Sequence, residues 1–312
     1  MRFGAIAEIV ILLIFLMVAL VTILVRNPAE TSEDARSAEE YIQTGNRFYE
    51  MGKPKFNEAS IEYWKAIDLN PDMAEAHYKL ADIYYEHVWD YQALGELDKV
   101  ERIDPNYPGL HSLLGRIYNR MSEPDKALEA FQRALALQPE DSDVHYYVGT
   151  IYQQQGMEKE AIDSYEKAVE AYDGESAMKA RLQLGRIYKN KDREKAKDQF
   201  IKALSIDPES AEVLSELRSV YRQEAEDYRS RDEYDKAAEK YEEMVKLNPD
   251  DPRNVEAYME LGNIYRSNEL YDKAFTMYEA ARKLDPFNFD AFSALKELEL
   301  FKEAGSKNER ME

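Results

Sequence analysis

His77-Tyr78-Lys79-Leu80-Ala81-Asp82-Ile83-Tyr84 returns as His111-Ser112-Leu113-Leu114-Gly115-Arg116-Ile117-Tyr118 and again as His145-Tyr146-Tyr147-Val148-Gly149-Thr150-Ile151-Tyr152. Each copy starts 34 residues after the one before it. A second set follows each copy: Ala93 and Pro105, then Ala127, Phe131, Ala134 and Pro139, then Ala161, Tyr165 and Ala168. The shared positions within each copy fall at i, i+3, i+4 and i+7, the spacing of one helix face. A fixed period of this length, made of two amphipathic helices, cannot bury its apolar faces alone. Stacked neighbours supply the core.

The pattern extends in both directions. Gly45, Phe48, Ala59, Tyr63, Ala66 and Pro71 precede the trio, with two extra residues near Pro54. After it come Gly185, Tyr188, Ala196, Phe200, Ala203 and Pro208, then Arg218, Tyr221, Ala237, Tyr241, Met244 and Pro249, then Gly262, Tyr265, Ala274, Tyr278, Ala281 and Pro286. Small residues let the first helix of a unit, helix A, approach the second, helix B. Aromatic residues fill the space between neighbours, and proline ends helix B because it lacks the N–H that a helix needs. From Glu39 to Pro286 the chain resembles the tetratricopeptide repeat (TPR) family. The resemblance implies an all-α, right-handed α-solenoid of seven TPR helix pairs with a capping helix, gripping protein or peptide partners in a concave groove lined by helix A.

Totals narrow the function. The 312 residues carry a formal charge of −21 and no cysteine. An acidic balance argues against nucleic acid, which needs a basic footprint. The lack of cysteine removes disulfides, thiolate nucleophiles and cysteine metal sites. No phosphate loop, nucleophile elbow or His-Glu-x-x-His motif occurs. The expectation is a chain that is not an enzyme and holds no cofactor or metal. The three histidines are expected to pack helix A against helix B.

Ala5 to Val25 is a 21-residue apolar run with one charge, Glu8. At about 1.5 Å per residue it can cross a hydrocarbon core of about 30 Å. It exceeds a signal-peptide core, and Val25-Arg26-Asn27 offers no small-x-small cleavage site. The expected organisation is an anchor at 4–25, a linker at 26–36, seven repeats at 37–286, a capping helix at 287–303 and a flexible tail at 304–312. Ser37 with Glu40 has capping-box spacing and should start the first repeat helix. Phe289, Phe292, Leu295 and Leu298 read as one stripe facing the array. The short positive tail before the anchor places the N-terminus in the cytoplasm and the repeats outside it, in the periplasm if the cell is bacterial.

Three further repeats are irregular: the fourth has Asp173 where proline belongs, and Tyr172 to Ser176 adds two residues, so the superhelix is expected to bend there. The fifth is one residue short in its turn. The sixth carries seven extra residues within Gln223 to Arg231, whose composition suggests that both of its helices lengthen by about a turn. The groove residues implied by the resemblance are Tyr78, Asp82 and Tyr85, then Arg116, Asn119 and Arg120, then Tyr146, Tyr147 and Thr150, then Lys179, Arg186 and Lys189. Five of these are cations, set against Asp143 in an acidic protein, so an acidic segment is the expected ligand. The lysine-bearing clamp of chaperone-binding relatives is missing, and so is the four-cysteine domain of lipopolysaccharide-assembly relatives. The function implied is a membrane-anchored scaffold that organises a complex in envelope assembly, secretion or complex biogenesis. The alternatives are a self-assembling homo-oligomeric scaffold and an accessory subunit of a membrane enzyme complex.

Overall fold

A computed structural model describes residues 36–171 and 174–309. The expected anchor, nearly all of the linker, and Tyr172 and Asp173 lie outside the described residues. Among the described residues there are fifteen α-helices, two short 3-10 turns and no strand. In chain order the helices are α1 Ala38–Glu50, α2 Phe56–Leu69, α3 Ala74–Glu86, α4 Asp90–Ile103, α5 Leu110–Arg120, α6 Pro124–Leu137, α7 Ser142–Gln154 and α8 Glu158–Ala171. They continue as α9 Glu175–Tyr188, α10 Arg193–Ile206, α11 Ala211–Arg229, α12 Tyr234–Lys246, α13 Val255–Ser267, α14 Tyr271–Leu284 and α15 Phe289–Glu309. The chain forms two compact units, one ending at Leu113 and one beginning at Leu114. In the first unit α1 packs on α2 and α3 on α4. In the second, α7 pairs with α8, α9 with α10, α11 with α12 and α13 with α14, and α15 covers α14.

The capping box at the first helix forms as its sequence requires. The Glu40 N–H donates to Ser37 Oγ at 3.2 Å, and the Ser37 N–H donates to Glu40 Oε2 at 3.1 Å. The close approach of helices A and B has a steric basis. A Cβ added to Gly115 would lie 2.5 Å from the Phe131 ring, and one on Gly149 would lie 2.7 Å from the Tyr165 ring. Gly45, Gly185 and Gly262 meet Tyr63, Phe200 and Tyr278 in the same way. In the second repeat the smaller Leu97 stands in place of the ring, and there the small residue is Ala81. In these five repeats the ring occupies the space that the glycine leaves open.

The histidines do more than pack. His77, His111 and His145 each donate Nε2–H to the carbonyl of the proline six residues earlier, Pro71, Pro105 and Pro139, at 3.0, 3.0 and 2.8 Å. A carbonyl can only accept, so the ring nitrogen must carry the proton. In the seventh repeat Tyr258 makes the same bond, its hydroxyl donating to the Pro249 carbonyl at 3.2 Å. These side chains tie the start of helix A to the turn that delivers it. Among the described residues no cluster of three or more His, Asp or Glu could hold a metal ion.

The sixth repeat corrects the sequence reading. All of the extra length is in helix A: α11 has 19 residues and α12 has 13. The turn between helices A and B carries one left-handed residue in six of the repeats: Gly52, Val88, Ser122, Gly156, Asp232 and Glu269. The fifth repeat, one residue shorter there, lacks it. Counting back from this residue reaches Ala81 and Tyr84 in the second repeat, and Ala225 and Tyr228 in the sixth. Ala225, fully buried, is thus the small residue of the sixth repeat, and the insertion extends helix A at its N-terminal end. Arg218, read from sequence as that small residue, lies two turns earlier, where the extension joins the regular helix. It is buried and pairs with Asp251 at 2.8 Å.

The end of the array is also corrected. The helix runs on to Glu309, past the expected boundary at 303. Its buried face is Ala291, Ala294, Leu295 and Leu298, whereas Phe289 and Phe292 point to solvent. The four residues read as one stripe belong to two.

Candidate functional site

The helix-A side chains expected to line a groove are divided between the units. Tyr78, Asp82 and Tyr85 lie on α3 in the first. Tyr78 packs on Tyr107 with ring centres 5.1 Å apart. Its hydroxyl lies where a Cβ on the left-handed Gly109 would fall, at 2.4 Å. Asp82 accepts a hydrogen bond from Tyr49, whose ring carries Lys79 Nζ at 4.2 Å. Burial, then the bond to Asp82, pushes the Tyr49 hydroxyl well above the ordinary phenol range. The Asp82 carboxylate is therefore committed inside the unit. Tyr85 is half-buried.

The remaining candidates lie in the second unit. Tyr147 on α7 stacks on Phe131 with ring centres 5.9 Å apart, and the Arg116 guanidinium also lies 5.9 Å from the centre of the Tyr147 ring. Tyr146 meets Tyr147 edge-on at 5.5 Å and lies 6.0 Å from Tyr165. Burial raises the pKa of the Tyr146 hydroxyl, although the nearby Lys179 opposes the shift. Asn119 and Arg120 are half-buried on α5. The Thr150 hydroxyl donates to the Tyr147 carbonyl at 2.7 Å, so its proton is used within its own helix. Lys179 pairs with Glu175 one turn earlier, and that hydrogen bond raises its pKa.

The cations on α9 are arranged differently from the expectation. Arg186 Nε lies 2.9 Å from Glu216 Oε1, and Arg186 Nη2 lies 2.7 Å from Glu212 Oε1. Lys189 Nζ lies 3.0 Å from Glu216 Oε2. Burial alone would raise the Glu216 carboxyl, but the bonds from Lys189 and Arg186 outweigh it and hold the pKa below the usual value. Glu212 and Glu216 stand one turn apart in the N-terminal extension of α11. The inserted turns bring an acidic helix against the basic strip, so part of the acidic ligand expected from sequence is supplied by the chain itself. Sequence reasoning followed the groove only through the fifth repeat and missed these two carboxylates.

Charge matching continues toward the C-terminus. Arg222 meets Glu256 at 3.6 Å, Arg229 meets Glu260 at 2.6 Å and Arg266 meets Glu297 at 3.1 Å. An open groove of about 680 Å³ lies between α13 and α15, lined by Met259, Asn263 and Ser293 among others. The Tyr278 hydroxyl fixes Asn263 by donating to its side-chain oxygen at 2.8 Å.

Helix pairs closed internally by glycine–ring contacts, with helix-A side chains left half-exposed, define a helical-repeat scaffold for protein–protein interaction. Tetratricopeptide repeat models match residues 45–88, 112–176, 179–210 and 222–289, together more than half of the chain. The chain is a tetratricopeptide repeat protein. Its structure is similar to the crystal structure of the C-terminal part of a TPR repeat-containing protein from Cytophaga hutchinsonii, with TM-score 0.58 and 19% identity, covering 83% of this chain and 98% of that one. MamA is 27% identical over 54% of this chain and 96% of its own, with TM-score 0.45. YrrB, a TPR protein with an unusual peptide-binding site, is 21% identical over 75% of this chain and 97% of its own, with TM-score 0.41. No curated protein sequence matches the chain. Among the described residues no helix is long and apolar enough to cross a membrane. The run Ala5 to Val25 lies outside them.

Proposed function

We propose that this chain is a non-enzymatic adaptor, held at a membrane by Ala5 to Val25, that binds a protein or peptide partner on the helix-A face around Tyr146 and Tyr147. The observation that carries the reading is the pair of tyrosines itself. Two adjacent, half-buried rings stand on one helix, with Arg116 over one of them and Lys179 close by. Tyrosines held this way give large contact area at little entropic cost, and flanking cations select for negative charge. The partner segment is therefore expected to place an apolar side chain on the rings and a carboxylate beside them. Arg186 and Lys189, held by the largely covered Glu216, contribute little to that recognition, whereas the Lys179–Glu175 pair is solvent-exposed and weak enough for a ligand carboxylate to replace Glu175.

The anchor reading rests on the length and composition of the apolar run. It makes the protein an organiser of a complex at the membrane, with its repeats on the extracytoplasmic side. The test of the partner site is Tyr146→Ala combined with Tyr147→Ala, which should weaken retention of the native partner about tenfold or more while leaving the helical signal intact. Unchanged retention would remove the site. The test of the anchor is alkaline carbonate extraction of membranes. The full chain should stay with the pellet, and its appearance in the soluble fraction would remove the anchor.

A further inference from the structure

The capping helix leaves an apolar face open. A helix that packs one face on an array is ordinarily polar on the other. Here Phe287, Phe289, Phe292 and Leu300 are 95%, 76%, 50% and 59% exposed. Phe289, Phe292 and Lys296 follow the i, i+3, i+7 spacing of a helix–helix seam, and Leu300 lies one turn further on the same side. The opposite side of α15, with Leu295 and Leu298, is already buried against the array. The helix is therefore apolar on two faces, and only one has been used.

The size of this face indicates what covers it. Large apolar side chains bury about 150–250 Å² each, so the exposed parts of Phe289, Phe292 and Leu300 offer roughly 350 Å² of apolar surface, and Phe287 in the turn just before the helix raises this to roughly 500 Å². A standard interface takes about 800 Å² from each partner, and a homodimer interface is about 65% apolar, which again is about 500 Å². Lys296, between Phe292 and Leu300, can lay its methylene stem along such a seam and keep its charge in water. A patch on one helix that is this apolar and has the right extent can pair with its own copy about a two-fold axis.

We propose that two copies of this chain associate through the outer faces of their α15 helices, with Phe289, Phe292 and Leu300 packing across a two-fold axis. The proposal is independent of the partner site on α7.

The chain has no cysteine, so a single introduced thiol reports on one contact. The full chain carrying Lys296→Cys, in mild detergent, should form an intermolecular disulfide on oxidation. The same chain carrying Arg133→Cys, exposed on α6, should not. Light scattering across a concentration series should show a monomer–dimer equilibrium for the wild type. Phe289→Glu with Phe292→Glu should raise its dissociation constant by about a hundredfold, the scale expected for two central apolar anchors. Both side chains are exposed in the single chain, so an unchanged helical signal separates loss of association from loss of folding. A wild type that stays monomeric throughout, or a double variant that dimerises as well as wild type, would overturn the proposal. So would equal cross-linking from the two thiols. If the wild type stays monomeric and the double variant instead loses binding to a different protein, the face belongs to that protein and not to a second copy.

Discussion

Glu216 on α11 bridges two cations of α9, taking Arg186 on one carboxylate oxygen at 2.9 Å and Lys189 on the other at 3.0 Å. The contact joins the sixth repeat to the fifth, and it exists because seven added residues lengthen α11 by about two turns at its N-terminal end. An insertion that looks like a spacer in the sequence acts as a counter-charge in the structure.

Removing that counter-charge should expose the strip. Glu212→Gln with Glu216→Gln leaves Arg186 and Lys189 without these carboxylates at little cost to the fold, since such partly exposed pairs contribute about 1 kcal/mol or less. A short polyglutamate peptide, followed by fluorescence anisotropy, should bind this variant about tenfold tighter than wild type. The gain should shrink as salt shortens the screening length. Equal affinity would show that the α9 cations do not face a ligand-accessible surface.

The glycine–ring coupling predicts a rescue. Gly115→Ala alone puts a methyl group 2.5 Å from the Phe131 ring and should cost about 1–3 kcal/mol, the usual penalty for overpacking. Adding Phe131→Leu reproduces the Ala81–Leu97 combination of the second repeat. The double variant should be more stable than the sum of the two single losses predicts, by at least about 0.5 kcal/mol in urea denaturation. Strict additivity would mean that the ring and the glycine do not constrain each other.

Asp251 makes acid stability a local question. Its buried carboxylate takes Arg253 at 2.7 Å and the buried Arg218 at 2.8 Å. The Arg253 hydrogen bond, which outweighs the cost of burial, holds the carboxyl well below the usual carboxylate range. A group whose pKa is lowered by folding stabilises the fold above its unfolded value, 3.8, and loses that contribution as pH falls through the lower folded value. Asp251→Asn should cost about 3 kcal/mol at neutral pH, because it strands the Arg218 charge. Its melting temperature should also fall less than that of wild type between about pH 4 and pH 2. Parallel acid profiles for the two proteins would assign the acid sensitivity elsewhere.

Much of this fold is legible in the chain because the repeat imposes its period on residues with strong steric roles. Gly115 against Phe131 and Ser37 with Glu40 are examples in which the residue types leave few alternatives. The sixth repeat was misplaced for a geometric reason. Seven residues make nearly two full helical turns, so an insertion of that length keeps the same face pattern, and Arg218 with Tyr221 mimics Ala225 with Tyr228. The left-handed residue Asp232 settles the register, and backbone conformation at an aspartate is not written in a periodicity. The capping helix misled for another reason. Its buried face uses Ala291 and Ala294, small residues that do not stand out in an apolar pattern, whereas the larger Phe289 and Phe292 share the helical spacing of Leu295 and Leu298 without sharing their face. The carboxylates that meet Arg186 and Lys189 come from a segment whose placement depends on that same register, so helix-A positions alone do not reveal them.

The central claim is that the face around Tyr147 holds a partner, and a photo-activatable cross-linking amino acid placed at that position in the full chain, in its own cells, tests it most directly. A discrete protein adduct is expected from position 147 and none when the same group replaces Arg133 on α6, with the yield lowered by Lys179→Glu. No adduct at 147, or the same adducts from both positions, would contradict it.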